Sequence, residues 1–521
     1  MRSWLPRIFA FFSLVLALPL HAADLAVGLA TDVTSLDPHY HNLTPNNNIA
    51  QHVYGYLVQT NEKEGLEPGL ATEWKVIDPT TWEFKLRRGV KFHDGSDFTA
   101  EDVVASIRRV PRVPNSPSPF VAYTKQIQNI EIVDPWTIRL KTATPYPLMP
   151  SDLAQVAIVS KKFETATTDD FNSGRASVGT GPYKVVRYAK GDRIELVRFD
   201  AWWGGKTPWE KVTMRLLPQN AARVAALLSG DVQVIEAVPT VDIARLKEDK
   251  RVALFHVVAD RLIYLHLDSN RDVSPYVTDR DGKPLERNPL KDSHVRRALS
   301  MAIDRATIVD KVMEGEAVPS GQLVPEFLFG ATTNLKVEKF DPEGARKLLA
   351  EAGWPDGFGV TLHTPNDRYV NDAKIAQAVA QMWTRIGVPT KVVAMPSATY
   401  FPQATELKFS AMLLGWATGT GEASSSLKNL IMSYNKERGY GGTNRGRYSN
   451  AKVDAFTEDA LQTVNDVKRE AYLQRATEIA ITDTAIIPLH FQVSTWATRG
   501  GITYVPRVDE GTRAWKLKPG K

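Results

Sequence analysis

The sequence predicts an α/β protein whose lobes share the chain in discontinuous pieces. Segments with the two-residue period of strands alternate with segments that carry the 3.6-residue period and the capping residues of helices. The chain of 521 residues is long enough for two or three domains. No linker rich in Gly, Ser or Pro divides it cleanly. We therefore expect each lobe to be assembled from segments that are far apart in the sequence.

The first half supplies strands and one well-capped helix. "LAVGLATDV", which begins at Leu25, alternates as a strand. "TWEFKLRRGVKF" places three apolar side chains, beginning with Trp82, on one face and three charged ones, beginning with Glu83, on the other. This pattern predicts a half-buried strand. Thr99 is predicted to cap the next helix, with Asp102 three residues later.

The second half is richer in helices. "DPEGARKLLAEAGWPDG" has Asp341 as the cap, Pro342 at the first helical position and Gly353 at the end. Residues 371–386 carry one apolar stripe and end before Gly387, which predicts a second helix. "TKVVAM" and "FSAMLLGW" are predicted as strands, and the latter runs directly into the polar loop "ATGTGEASSS".

The N-terminus has the pattern of a secretory signal peptide. A basic start precedes an apolar stretch at residues 8–20, and the small residues Ala22 and Ala23 follow, with cleavage expected after Ala22 (signal peptide 1–22). The apolar stretch is shorter than the roughly 20 residues that span a bilayer. The chain contains no cysteine, which excludes disulfides, thiol catalysis and a lipid-modified cysteine after the signal. We therefore expect an exported protein of the bacterial periplasm that is not a lipoprotein.

Charge and motifs argue against nucleic-acid binding and against catalysis. The formal charge is +5, and Arg2 and Arg7 of the signal account for part of it, so the remainder is too small and dispersed for nucleic acid. No HExxH, GxSxG or Walker motif occurs. "VGTGPY" has only a lone GxG followed by Pro182, which indicates a structural turn. We therefore expect a protein that is not an enzyme.

Histidines are the main candidates for a metal site in a chain without cysteine. His39 and His41 would face the same side of an extended segment, and His52 follows further along the chain. No carboxylate or third histidine stands at a tight spacing. The pattern favours ordinary surface and core histidines, and no metal or other cofactor is expected.

A long segment carries a resemblance to a known family. "LEPGLATEWKVIDPTTWEFKLRRGVKFHDGSDFTAEDVVASIRRV" resembles the signature region of extracytoplasmic solute-binding proteins of the peptide/nickel (dipeptide/oligopeptide-binding) class, which serve ABC transporters. Further similar segments follow in family order and extend the resemblance over the mature chain. They are "TSLDPHY", "VGTGPYKV", "HVRRALSMAIDRATIVDKVMEGEAVP", "ARKLLAEAGWPDG", "AQMWTRIGV" and "IIPLHFQVSTW".

The resemblance implies a periplasmic-binding-protein-like architecture with two α/β lobes, a hinge, and an extra subdomain inserted in the first lobe. The implied boundaries are 23–44, 171–260 and 488–521 for lobe I, 45–170 for the inserted subdomain and 261–487 for lobe II. It also implies that a small organic solute is enclosed between the lobes and delivered to an ABC permease in the inner membrane. A monomer is the state that the family implies.

The loop after Trp416 is the first candidate for ligand contact. In peptide-binding relatives, an aspartate three residues past this tryptophan pairs with the α-ammonium of the peptide, and Gly419 occupies that position here. Glu422 is the only acid in the loop and could substitute from another register. Thr420 and Ser424 offer hydroxyl groups, and the glycines allow close approach of backbone amides. The alternative is a flexible surface loop.

Four further residues are candidate ligand contacts. Arg368 lies in "TPNDRYVND", which resembles the family segment whose arginine holds a ligand carboxylate. Asn444 and Arg445 lie in the glycine-rich "GGTNRGRYSN", and Tyr40 lies in "DPHYHN". Core packing of Trp416, a lobe-surface role of Arg368 and a structural turn around Asn444 remain the alternatives.

The ligand class stays open at this point. A short peptide or another amino-acid-derived compound is expected first. An opine, glutathione and an oligosaccharide are alternatives within the same fold. Capture of a metal chelate of the nickel type is a separate class of function.

Overall fold

The computed structural model describes residues 24–520, so the predicted signal peptide lies outside the described residues. The strands are β1 (Leu25–Leu29), β2 (Gly55–Tyr56), β3 (Val58–Thr60), β4 (Leu66–Pro68), β5 (Ala71–Asp78), β6 (Thr81–Leu86), β7 (Ile127–Asp134), β8 (Thr137–Thr142), β9 (Ala157–Ile158), β10 (Tyr183–Ala189), β11 (Arg193–Arg198), β12 (Lys211–Leu216), β13 (Val234–Ile235), β14 (Val252–Leu267), β15 (Val277–Thr278), β16 (Ala317–Pro319), β17 (Gly359–Pro365), β18 (Thr390–Met395), β19 (Ala411–Trp416) and β20 (Ile487–Arg499).

Helices separate most of these strands. The α-helices are α1 (Thr44–Val53), α2 (Ala100–Arg109), α3 (Met149–Leu153), α4 (Thr168–Asn172), α5 (Asn220–Ser229), α6 (Thr240–Glu248), α7 (Ser293–Met301), α8 (Arg305–Thr307), α9 (Pro342–Glu351), α10 (Asp372–Arg385), α11 (Ser397–Thr405), α12 (Ala423–Ser426), α13 (Ala451–Gln462) and α14 (Asp466–Thr482). The predicted α/β class is confirmed. Within residues 24–520, no helix is long and apolar enough to cross a membrane.

The local signals in the sequence place these elements well. The Thr99 hydroxyl and the Asp102 carboxylate form the capping box of α2, and the Asp341 carboxylate accepts from the Gly344 N–H at the start of α9. The alternating strand β6 differs from its prediction at Glu83, which is buried rather than exposed. Its carboxylate accepts from Nε of Arg139 at 2.9 Å on the neighbouring strand, which offsets the cost of burying the charge.

One large mixed sheet runs through the molecule. Its strand order is β10-β11-β12-β1-β13-β20-β14-β19-β17-β15, with β16 on β20 and β18 on β17. The pairs of β1 with β12 and β13, and of β17 with β18 and β19, are parallel. A separate antiparallel sheet has the order β5-β6-β8-β7 and packs against α2.

Two long antiparallel strands, β14 and β20, join the two ends of the large sheet. Val258 pairs with Val493 and Leu262 pairs with Phe491, so residues 259–261 fall outside the regular pairing. This break marks a local bend of the ladder, as expected for a bulge. It lies between separate apolar cores, one that contains Val27 and others built around β17 and β19.

The "VGTGPY" turn is structural. A Cβ on Gly179 would lie 1.9 Å from the carbonyl oxygen of Val53, and the Gly181 N–H donates to that same oxygen at 2.9 Å. The turn therefore closes against the end of α1, and this close approach of two backbones requires glycine.

Candidate functional site

A cavity of about 600 Å³ lies where the break in β14 meets the loop after β19. Segments that are far apart in the chain reach it, including the start of α1, α3, the turn between β3 and β4, and residues 509–513 of the C-terminal tail. The amide Nε2 of Gln155 donates to the carbonyl of Gly419 across it, so the walls on either side are in direct contact. A cavity of this size suits an enclosed small molecule.

The loop after Trp416 forms one wall of the cavity. Trp416, Gly419, Thr420 and Ser424 line it, and the indole Nε1 of Trp416 and the hydroxyl of Thr420 are buried without a hydrogen-bond partner. The strand that precedes the loop is buried between β14 and β17, which holds Trp416 in place. Gly419 has φ 65°, a left-handed conformation that glycine adopts at least cost.

Glu422 does not face the cavity. Its carboxylate accepts from Nη1 and Nη2 of Arg469 at 2.8 Å each, and Ser424 Oγ also donates to it. Both charged residues are buried, so this two-pronged ion pair holds the carboxylate inside the protein. The structure thus corrects the expectation that Glu422 meets a ligand, because its oxygens are already committed to Arg469.

Two arginines line the cavity without an acidic partner. Arg368 and Arg445 appear in none of the ion pairs formed within residues 24–520, although both border the cavity. Burial lowers the pKa of Arg368, and the neighbouring charge of Arg261 lowers it further. Arg445 donates to the Thr405 hydroxyl at 3.3 Å, and its Nε is buried without a partner. Such guanidinium groups are suited to a carboxylate.

Asn444 and Tyr40 lie away from the cavity lining. The Asn444 side chain is fully buried and donates to the carbonyls of Met432 at 3.1 Å and Tyr448 at 2.7 Å. It therefore holds a turn, and the expectation of ligand contact is corrected for this residue. Tyr40 receives a hydrogen bond at its backbone carbonyl from Ser116. The residues that line the cavity near it are Asn42 to Thr44.

Several acids in the cavity were missed by sequence reasoning. Burial raises the pKa of Asp152 to about 7, and the Tyr146 hydroxyl donates to this carboxyl at 2.5 Å. Burial also raises the pKa of Asp260 to about 6 and that of Glu64 well above its usual range. No motif marks these residues, because they come from three distant segments that only the fold brings together.

Amide and hydroxyl groups extend the polar lining opposite the loop. Asn47 Nδ2 donates to Asn42 Oδ1 at 2.8 Å, and Asn42 Nδ2 donates to the Tyr123 hydroxyl at 3.0 Å. This series of hydrogen-bonded side chains is a fixed set of donors and acceptors on the α1 side of the cavity. It offers hydrogen bonds to a polar ligand without adding charge.

The histidines that were considered as metal ligands are engaged within the protein. His39 Nε2 lies 2.8 Å from the Ala157 carbonyl, His41 Nδ1 lies 2.9 Å from the Thr34 hydroxyl, and His52 Nδ1 lies 2.8 Å from the Asn48 carbonyl. None of the described histidines lines the cavity. Over residues 24–520, no group of three or more His, Asp or Glu side chains could hold a metal ion.

Comparisons with known proteins agree with this architecture. The heme-binding protein A of Haemophilus influenzae is 27% identical over 86% of this chain and 83% of its own length. The glutathione-binding protein GsiB of Shigella dysenteriae serotype 1 is 28% identical over 94% of this chain and 93% of its own. The periplasmic binding protein DppA of Helicobacter pylori, solved with the peptide STSA, superposes with a TM-score of 0.80 and 22% identity over 96% of this chain and 98% of that one.

A structure solved with a nickel complex shares the fold as well. NikZ of Campylobacter jejuni, solved with Ni(L-His), has a TM-score of 0.79 and 21% identity over 95% of this chain and 99% of that one. The model of the bacterial extracellular solute-binding proteins, family 5, matches residues 65–437, which is most of the chain. The chain therefore belongs to family 5 of the bacterial extracellular solute-binding proteins, the substrate-binding components of ABC importers.

Proposed function

We propose that this protein captures a small zwitterionic solute, a short peptide or a peptide-like compound, and delivers it to an inner-membrane permease. The observation that carries the proposal is the set of charged groups in the cavity that have no partner of opposite charge among the described residues. Such cations are Arg368, Arg445 and Lys428. Such acids are Glu64, Asp152 and Asp260. A ligand that carries both a carboxylate and an ammonium group would pair with the cations through the first and with the acids through the second.

The affinity that such a protein needs is available from a few contacts. A dissociation constant of about 1 μM corresponds to roughly 8 kcal/mol. Hydrogen bonds to charged groups contribute roughly 1.5–3 kcal/mol each. The Trp416 side chain adds apolar area and a free N–H donor. Several such contacts together reach the affinity of a scavenging transporter.

The division into lobes at the boundaries given above is part of the proposal. Separate apolar cores and the two connecting strands β14 and β20 support it. Closure about the break at residues 259–261 would enclose the solute, and binding energy would favour the closed state. We further propose that the protein is exported through a cleaved signal peptide to the periplasm, acts as a monomer, binds no nucleic acid and catalyses no reaction.

The alternatives are other solutes. An opine or glutathione carries the same pair of charges, whereas an oligosaccharide does not. A nickel chelate would bring its own ligands, as the Ni(L-His) bound to NikZ does. The unpaired arginines and acids favour a zwitterion over a neutral sugar.

The test uses an equimolar mixture of synthetic dipeptides and tripeptides, in a free-acid and a C-terminally amidated form. Mass spectrometry measures which peptides the refolded protein retains. We expect retention of free-acid peptides, at least tenfold weaker retention of amidated ones, and loss of this difference in Arg368→Gln. Arg385→Gln, which changes an exposed arginine of α10, is the matched control and should behave as wild type. Retention of neither form would contradict the proposal.

A further inference from the structure

Glu64 and Asp260 differ from the neighbouring acids Asp509 and Glu510, because they lack an arginine partner among the described residues. Asp509 pairs with Arg507 at 2.7 Å and with Arg513 at 3.3 Å, and Glu510 accepts hydrogen bonds from Nε and Nη2 of Arg261. Glu64 and Asp260 line the same cavity but take part in none of the ion pairs within residues 24–520. When these two carboxyl groups are ionised, they therefore have no cation of their own in the described part of the chain.

Each of these acids also has a buried oxygen that receives no hydrogen bond from residues 24–520. Oε2 of Glu64 and Oδ1 of Asp260 are buried and unpartnered, in residues that are 7% and 1% exposed. The other oxygen of Asp260 accepts from the N–H and the hydroxyl of Thr418 at 2.6 and 2.9 Å. Native proteins satisfy nearly all such atoms, so a free pair of buried carboxylate oxygens at a cavity indicates a missing donor.

The fold brings these acids together from separate segments. Glu64 stands in the turn between β3 and β4, Asp260 in the break of β14, and Thr418 in the loop after β19. Gly421 of that loop lies so close that a Cβ there would approach the Cβ of Glu64 to 3.0 Å. The two acids therefore lie where the turn between β3 and β4, strand β14 and the loop after Trp416 meet.

The charged groups around the two acids do not neutralise them. Burial raises the pKa of Glu64, the charges of Asp260 and Asp509 raise it further, and Arg507 opposes them. Burial likewise raises the pKa of Asp260, while Arg261 lowers it and Glu510 raises it. Arg261 and Arg507 already donate to Glu510 and Asp509, so neither supplies the missing hydrogen bonds.

We propose that Glu64 and Asp260 form the subsite that holds the ammonium group of the solute. They would take the place of the aspartate that the loop lacks at Gly419. A primary ammonium carries three N–H donors and one positive charge, which matches two unpartnered carboxylate oxygens. This inference rests on the proposed function, because it narrows the proposed solutes to compounds with a free amino group. It assigns the carboxylate end to a different part of the cavity, at Arg368.

The first test needs no ligand. Protein refolded without solute is heated at pH 8 and at pH 5. The folded-state pKa values are raised, so the ionised acids cost stability as pH rises, and neutral substitutes remove this cost. We expect Glu64→Gln and Asp260→Asn to raise Tm at pH 8 and to change it less at pH 5. Asp509→Asn, which removes a paired acid, should lower Tm, and the exposed Glu67→Gln should leave it unchanged. A fall in Tm for both subsite variants at both pH values overturns the proposal.

The second test uses the free-acid peptide mixture before and after N-acetylation. Wild type should retain acetylated peptides at least tenfold less, and Glu64→Gln should reduce this difference below twofold. Equal retention of both mixtures by wild type overturns the subsite and the requirement for an ammonium group, while capture of a peptide-like solute through its carboxylate still stands. If neither mixture is retained, the peptide assignment fails, and the Tm comparison at pH 8 still decides whether the acids form a cation subsite.

Discussion

Glu422 is a residue for which the sequence suggests a ligand contact and the fold shows a buried ion pair. As the only acid in a polar loop, it was the natural substitute for the missing aspartate. Arg469, on α14, takes both of its oxygens at 2.8 Å. No local pattern links these two residues, so the sequence could not distinguish a ligand contact from a buried ion pair. Arg368 and Trp416, whose positions follow from flanking strand and helix patterns, do line the cavity.

The buried ion pair leads to a stability prediction. Glu422→Gln leaves Arg469 with only the exposed Asp466, at 3.7 Å, as an acidic partner among the described residues. Breaking a buried pair costs about 3 kcal/mol or more. We expect that loss in urea unfolding, with peptide retention within twofold of wild type. Glu458→Gln, which breaks the more exposed pair with Arg438, is the control and should cost less than about 1 kcal/mol. Equal costs for the two variants would contradict the assignment.

Asp152 makes the stability of the protein depend on pH. Its pKa is raised from 3.8 to about 7 because the carboxyl is buried, so the folded state holds this proton more tightly than the unfolded chain. The contribution is therefore present at low pH and is lost as pH rises through about 7. Asp152→Asn should flatten the fall in Tm between pH 5 and pH 8. An unchanged slope would show that the carboxyl does not titrate in this range.

At the scale of elements, the signals that were predictive are local. Capping residues and apolar stripes located α2, α9 and α10 within a residue or two, because such interactions act inside one helix. The π-helical turn at Leu427–Ile431 and the break in β14 had no comparable signal. Both depend on tertiary packing, and the break places Asp260 in the cavity. The helices and strands were thus more predictable than the acids of the site.

The backbone conformation of the loop after Trp416 depends on Gly421. This residue has φ 70°, and a Cβ would lie 3.0 Å from the Cβ and from the carbonyl oxygen of Glu64. Gly421→Ala should destabilise the protein by more than the roughly 1–2 kcal/mol that a left-handed non-glycine residue costs. It should also weaken peptide retention, since the loop and Glu64 are pushed apart.

The matched control for this loop is Gly191→Ala. Gly191 has φ 75° with no atom within 4 Å of the added Cβ, so only the backbone cost applies. Urea unfolding compares the two variants, and the same peptide mixture reports retention. Equal loss of stability, with retention unchanged in both, would show that the contact between the loop and Glu64 does not matter.

For the whole molecule, binding and closure follow from the same arrangement of segments. The strands β14 and β20 connect separate cores. The cavity draws residues from the segment 42–155, from the central strands β14 and β19, and from residues 509–513. A solute with charges at both ends would touch β14 at Asp260 and the proposed second lobe at Arg368. The same contacts that select the solute would therefore hold the lobes together.

The most direct test is mass spectrometry of the small molecule released by mild denaturation from protein exported to the periplasm. The account predicts a compound that carries both a carboxylate and a free amino group, released in amounts close to one per protein. A released compound that lacks the carboxylate, the free amino group or both, such as a neutral oligosaccharide, would contradict it.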